Sequence, residues 1–155
     1  MARPAEFHID RDGVWRYRGS VVQRESMVRL FASMLACRDG RYVLVTPEQT
    51  LRVDVDDAPF VIVDMESPGE GEATQIVFVT SLGERFALGA GHPLYLCEDA
   101  ARGEVRAYQT TRDSLPALVH RNVFYRLAEQ ARTNAEGVAG IHSGGRFFAL
   151  EPGAS

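Results

Sequence analysis

The chain has 155 residues, 45% of them hydrophobic and 25% charged, the balance of an ordinary globular protein with enough length for one domain or two small lobes sharing a core. A formal net charge of −4 argues against a nucleic-acid partner, because phosphate backbones select basic surfaces. The longest apolar runs, Phe60 to Val63 among them, are far too short for a membrane-spanning helix, so no membrane partner is expected.

The opening residues, Met-Ala-Arg-Pro-Ala-Glu-Phe, lack the apolar stretch of a signal peptide. Cys37 and Cys97 are the two cysteines, and no Cys-x-x-Cys occurs, so reduced, unbonded thiols and a cytoplasmic location are expected. Ile9 to Tyr17 reads as a hairpin around the strong turn pair Asp12-Gly13. Met27, Leu30, Phe31, Met34 and Leu35 then recur at helical spacing, and Gly40 is placed to end that helix in the left-handed conformation. Tyr42 to Thr46 is apolar on both faces and reads as an interior strand. Leu51, Val53 and Val55 alternate with Arg52 and Asp54, a strand with one face inward. Pro59 precedes the strand Phe60 to Met65, where a missing N–H does least harm.

The polar, glycine-rich stretch 68–72 is the expected linker between an N-terminal lobe, 1–67, and a C-terminal lobe, 73–155. The second lobe opens with a hairpin, Ile76 to Thr80 and Arg85 to Leu88, turning at Leu82-Gly83. Strands are expected at Leu94 to Cys97 and Val105 to Thr110. Ser114 is placed to cap a helix with Pro116 in its first turn, running from Leu115 with a break or a bend near Arg121-Asn122. A last hairpin, Val138 to His142 and Arg146 to Leu150, turns at Gly144-Gly145.

The halves echo each other. Arg24, Arg29 and Leu30 match Arg121, Arg126 and Leu127, each 97 positions later (121−24, 126−29, 127−30). Gly40-Arg41-Tyr42 and Pro47 match Gly145-Arg146-Phe147 and Pro152, each 105 later. The expected fold is therefore α+β, with two repeated helix-plus-antiparallel-hairpin lobes that share an interface.

Several phrases resemble the family called domain of unknown function 1285: Arg11-Asp-Gly-x-Trp-x-Tyr-x-Gly-Ser20, Met27-Val-Arg-Leu-Phe31, Leu44-Val-Thr-Pro47, Asp57-Ala-Pro-Phe60, His92-Pro-Leu94 and Phe124-Tyr-x-Leu127. Each is short, but their order covers the chain from Phe7 to Leu150. The resemblance implies a bacterial protein with a duplicated core and a C-terminal half loosely like a pleckstrin-homology fold. It also implies a nucleotide-like ligand between the halves, a role in signal transduction and a signalling protein partner. After Thr46-Pro47 this chain has Glu48-Gln49-Thr50 where the family tends to have Val-Glu-Lys, so any ligand contact made by that lysine is missing.

No motif of catalysis stands out, and the working reading is a non-enzymatic protein. His8, His92, His120 and His142 are scattered unlike metal ligands, so neither a metal nor a cofactor is expected. Cys97, five residues beyond His92, reads as a buried thiol in a strand rather than a nucleophile. The arginines carry more. Arg24 should reach the edge of the core beside the first helix stripe, and Arg121 holds the matching place, whereas Arg29 and Arg126 fall on polar faces. All four have the plain reading of solvent or a carboxylate such as Asp57 or Glu66. The functional reading brings Arg24 and Arg121 together in one cleft to hold an anion, with His92 at the rim and Tyr108, Arg112 and Tyr125 as neighbours. Trp15 and Tyr17 share a strand face and read as core. The expected function is a small-ligand sensor or signalling module with an anionic, nucleotide-like ligand. The alternatives are an interaction adaptor without a ligand, and an enzyme using Cys97 or a carboxylate pair.

Overall fold

In the computed structural model, which describes residues 5–70 and 73–151, the chain first turns at Asp12-Gly13. Strands β1 (Phe7–Ile9) and β2 (Trp15–Tyr17) pair antiparallel around that turn, Ile9 opposite Trp15. Arg18 and Gly19 both take positive φ and return the chain into β3 (Ser20–Val21). Helix α1 (Glu25–Ser33) follows, and then an antiparallel meander of β4 (Leu35–Arg38), β5 (Arg41–Val45) and β6 (Thr50–Val55). β6 runs parallel to β1, which closes a six-stranded sheet in the order β3-β2-β1-β6-β5-β4.

The second sheet has the same strand order. β7 (Phe60–Glu66), β8 (Val77–Thr80) and β9 (Arg85–Ala87) make one meander, and β10 (Leu94–Asp99), β11 (Glu104–Thr110) and β12 (Pro116–Val119) make another. β12 runs parallel to β7, so the order β10-β11-β12-β7-β8-β9 again joins two antiparallel triples at their first and sixth strands. Helix α2 (Arg121–Glu129) then leads into a three-stranded sheet of β13 (Arg132–Thr133), β14 (Ala139–Ser143) and β15 (Arg146–Ala149). The architecture is mixed α+β: two six-stranded mixed sheets, one small sheet and, among the described residues, two α-helices.

One apolar core runs through all of it. Ile9 and Trp15 come from the first sheet, Ile62 and Phe78 from the second, Leu127 from α2 and Ile141 from the third sheet, each at most 2% exposed. Sealing such side chains from water stabilises the fold by about 1.5–3 kcal/mol each. α1 is held by Phe31, whose ring meets Phe7 at 5.0 Å and Trp15 at 6.2 Å. The buried Ser143 hydroxyl donates to the Leu88 carbonyl and accepts from the Ile76 N–H, pinning the third sheet to the second.

Several expectations are corrected. α1 ends at Met34, and Leu35 already lies in a strand, because Asp39 and Gly40 (φ 53° and 76°) form the β4–β5 hairpin turn rather than a helix terminus. The helix expected from Leu115 is strand β12 up to Val119. Ser114 caps nothing; with Asp113 it sits at positive φ in the β11–β12 turn, and His120 caps α2 instead. Cys97 lies in a strand but is exposed, as is Cys37, and both thiols are free. The chain passes from the first sheet to the second between Val55 and Phe60, whereas the stretch 68–72 connects β7 to β8 within the second sheet, its residues 71 and 72 lying outside the described ones. Arg24 is the residue before α1 and Arg121 the first residue of α2, so the matched arginines stand one position out of step with their helices. Gly40 turns the first hairpin of its meander and Gly145 the second of its own; Pro152 lies outside the described residues.

Candidate functional site

The β1–β2 turn is built by Asp10, whose carboxylate accepts from the N–H groups of Asp12 and Val14 at 3.0 Å. Gly13 (φ 81°) then lies directly on β7, where a Cβ would sit 2.8 Å from Val61 Cγ2. The turn thereby brings Arg11 and Asp12 of the first half to the surface of the second sheet. On β7 itself, a bulge between Ile62 and Asp64 leaves Val63 48% exposed. α2 starts beside that bulge: the His120 N–H donates to the Ile62 carbonyl at 3.0 Å, and His120 Nδ1 accepts from the Asn122 N–H at 3.2 Å. One turn on, Arg126 bonds the Asp64 carboxylate at 2.7 Å and the Met65 carbonyl at 3.0 Å. That partner holds the Asp64 carboxyl below its usual range. Val123 and Leu127 face the core, which turns Arg121, Asn122 and Tyr125 outward.

These segments enclose a cleft of about 820 Å³ between the first-half turn, β7, β11, the end of β12 and the start of α2. Its apolar wall carries Val63, Val105 and Tyr125, 48%, 47% and 57% exposed. Its charged groups are Arg11, Asp12, Glu104, Arg106 and Arg121. Arg106 is already answered, by Glu104 at 2.7 Å and Asp57 at 2.9 Å. Arg11 and Arg121 have no side-chain partner among the described residues. The two open guanidinium groups stand near the N-terminus of α2, the positive end of its dipole, and share the cleft with the carboxylates of Asp12 and Glu104.

Of the expected site residues, Arg121 and Tyr125 line this cleft. Tyr108 stands behind it: its hydroxyl donates to Asp57 at 2.8 Å, its ring stacks on Tyr95 at 5.6 Å, and burial followed by the Asp57 bond pushes its pKa up. The other three lie elsewhere. Arg24 lines a groove with Tyr17, Val21, Met27 and Phe31 that shares no residue with the cleft, because α1 packs on β1 and β2 while α2 packs on β7. The expected convergence of Arg24 and Arg121 does not occur, and Arg24 is exposed rather than at the core edge. Arg112 bonds the Ala32 carbonyl at the end of α1, stands 3.5 Å from Glu84 and lies over the Phe60 ring, a structural bridge between the halves. His92 Nδ1 meets the Thr110 carbonyl at 3.2 Å, and its ring lies edge-on to Phe86, so it fastens its own loop. Arg29 pairs with Glu25. Asp57 and Glu66 do hold arginines, Arg106 and Arg85, rather than the four considered. Trp15 is core at 2% exposure and Tyr17 is not, at 38%. Sequence reasoning missed Arg11, Asp12, Val63, Val105 and Arg106. The family-matching phrase Arg11-Asp-Gly was the available signal.

The sequence and the fold of this chain point to the same class of protein. Residues 2–58 match the N-terminal domain, and residues 59–150 the C-terminal domain, of the proteins of unknown function DUF1285. The chain belongs to that family. It is similar to a DUF1285 family protein from Silicibacter pomeroyi DSS-3, with 40% sequence identity and a TM-score of 0.89 over 96% of this chain and 81% of that one. It is also similar to one from Shewanella baltica OS155, with 27% identity and a TM-score of 0.63 over 81% of this chain and 91% of that one. Among curated proteins there is no match. The family boundary falls where the chain crosses from the first sheet to the second.

Proposed function

We propose that this chain is a non-enzymatic, cytoplasmic signalling module that binds a small anionic ligand, nucleotide-like in joining a flat apolar group to a charged one, in the cleft between its halves. The observation that carries the reading is the pair of unanswered guanidinium groups, Arg11 and Arg121, one from each half, facing the same cleft as the exposed ring of Tyr125. Guanidinium forks suit phosphate and carboxylate, and an exposed tyrosine offers a stacking face. The same strand order in both six-stranded sheets supports an internal duplication. The second sheet followed by α2 supports the looser likeness of the C-terminal half to a pleckstrin-homology fold.

The test is thermal unfolding of the full chain against a panel of nucleotides and phosphorylated metabolites. A ligand at 100 times its Kd stabilises the native state by about 2.7 kcal/mol, which in a chain of this size raises Tm by roughly 5–10 °C. Arg121→Ala and Arg11→Ala should each remove most of that rise. No shift with any anion, or a shift that both variants retain, would overturn the assignment.

A further inference from the structure

The other exposed apolar surface belongs to the first half. Phe31 turns inward from α1, and its neighbours on the same helix, Met27 and Leu30, are left 38% and 51% exposed. Across from them stand Tyr17 at the end of β2 (38%) and Val21 of β3 (43%), the open edge strand of the first sheet. Between helix and edge lies a groove of about 400 Å³ lined by Tyr17, Val21, Val22, Gln23, Met27 and Phe31, with one charged residue among its walls, Arg24. Arg24 has no side-chain partner among the described residues, although the chain as a whole carries an excess of carboxylates. Three of the eight large hydrophobic residues exposed on the described surface, Tyr17, Val21 and Met27, thus line one groove with a single unanswered cation.

We infer that this groove is a docking site for an acidic, apolar peptide segment of a partner protein, one that sets large apolar side chains against Tyr17, Val21 and Met27 and a carboxylate on Arg24. The groove has room for one or two such side chains, and helix-lined grooves recognise anchors of this kind. Charge decides between occupants. A second copy packed about a two-fold axis through the groove would bring the same unpaired arginine to this small patch from both sides, setting like charges together. A basic or neutral peptide would leave Arg24 partly desolvated without an answer. The site is independent of the inter-half cleft, with which it shares no residue.

The experiment selects a random-peptide phage library on the full-length protein, then titrates a fluorescent peptide of the selected consensus by anisotropy. The consensus should pair at least two large apolar residues with an Asp or Glu. Met27→Glu and Arg24→Glu should each weaken binding about tenfold or more. A peptide with Lys replacing the acid should bind Arg24→Glu better than it binds the wild type, a reversal that a merely structural role for Arg24 would not produce. Arg121→Ala should bind the original peptide unchanged, so the result does not depend on the cleft. Circular dichroism should show both groove variants folded, because both side chains are exposed. Failure to select any consensus, a consensus without a carboxylate, or affinity indifferent to Arg24→Glu would overturn the proposal. So would a sedimenting dimer of the wild-type chain that Met27→Glu dissociates.

Discussion

Asp57 stands in the short connection where the chain leaves the first sheet, and two donors from β11 meet it there. Arg106 lies at 2.9 Å and the Tyr108 hydroxyl at 2.8 Å, and the Asp57 and Arg106 side chains are only 17% and 18% exposed. A hydrogen bond to a charged, largely enclosed partner contributes about 1.5–3 kcal/mol, and partial exposure places this one near the lower end. Tyr108→Phe should therefore cost about 1.5 kcal/mol. Asp57→Ala strips both donors of their acceptor, leaving Arg106 only Glu104, and should cost about 2–4 kcal/mol. In the double variant the shared bond is lost once, not twice, so the two losses should fall short of additive by about 1 kcal/mol. Urea unfolding checks this, provided m is unchanged across the four proteins so that midpoints report stability alone. Additivity within about 0.3 kcal/mol would refute the view that this bond ties the second sheet to the inter-sheet connection.

Ser114→Gly should stabilise the fold by about 0.5–1 kcal/mol, since Asp113 and Ser114 hold φ of 53° and 62° in a hairpin turn that suits glycine; a Tm rise of roughly 1–4 °C in calorimetry checks it. Gly140→Ala should cost about 3 kcal/mol or more, because its Cβ would run into the Phe148 carbonyl and the Phe147 ring across the β14–β15 pair; the urea midpoint measures it. Burial pushes the pKa of Tyr108, Tyr95 and Tyr42 up, so above about pH 10 the folded chain binds more protons than the unfolded one. The stability contributed by these phenols should accordingly be intact below about pH 10 and decline as pH rises further, less steeply in Tyr108→Phe than in the wild type. Unfolding midpoints measured at intervals across that range would show it.

Turn chemistry and alternation made much of the fold legible before any coordinates. Asp12-Gly13, Leu82-Gly83 and Gly144-Gly145 each sit in the hairpin that their dipeptides demand, and Leu51, Val53 and Val55 face inward as their spacing requires. The errors have a common cause, which is that short signals serve two structures. A glycine at positive φ ends a helix or turns a hairpin, and Gly40 does the second. Leu115, Leu118 and Val119 fit one turn of helix as well as they fit a short strand and its approach, and the pairing of β12 with both β11 and β7 decides. The site was half legible for a similar reason. Arg121 and Tyr125 share a helix face with the cleft, but matching positions in a repeat do not place two side chains in one cavity, and Arg24 went elsewhere. Arg11 enters the cleft only because Gly13 seats its turn on Val61, a contact 48 residues away (61−13).

The parallel pairing of β7 with β12 sets an order of events in folding. Phe60 lies opposite Ala117 and Ile62 opposite Val119, so one edge of the apolar strand β7 stays open until 57 further residues (117−60, 119−62) have been made. At ordinary synthesis rates of about 5–20 residues per second, that edge waits on the order of three to ten seconds on the ribosome. During the wait Phe60-Val-Ile-Val63 keeps an open β-edge of the kind that seeds aggregation, even after β8 has paired with the other side of β7. The first sheet makes the same demand in milder form: β1 meets β6 only 46 residues later (53−7, 55−9), but the waiting strand is just Phe7–Ile9, against the seven residues of β7. Chains truncated between β7 and β12 should therefore be the least soluble nascent products of this protein, and chaperone capture should peak over that interval.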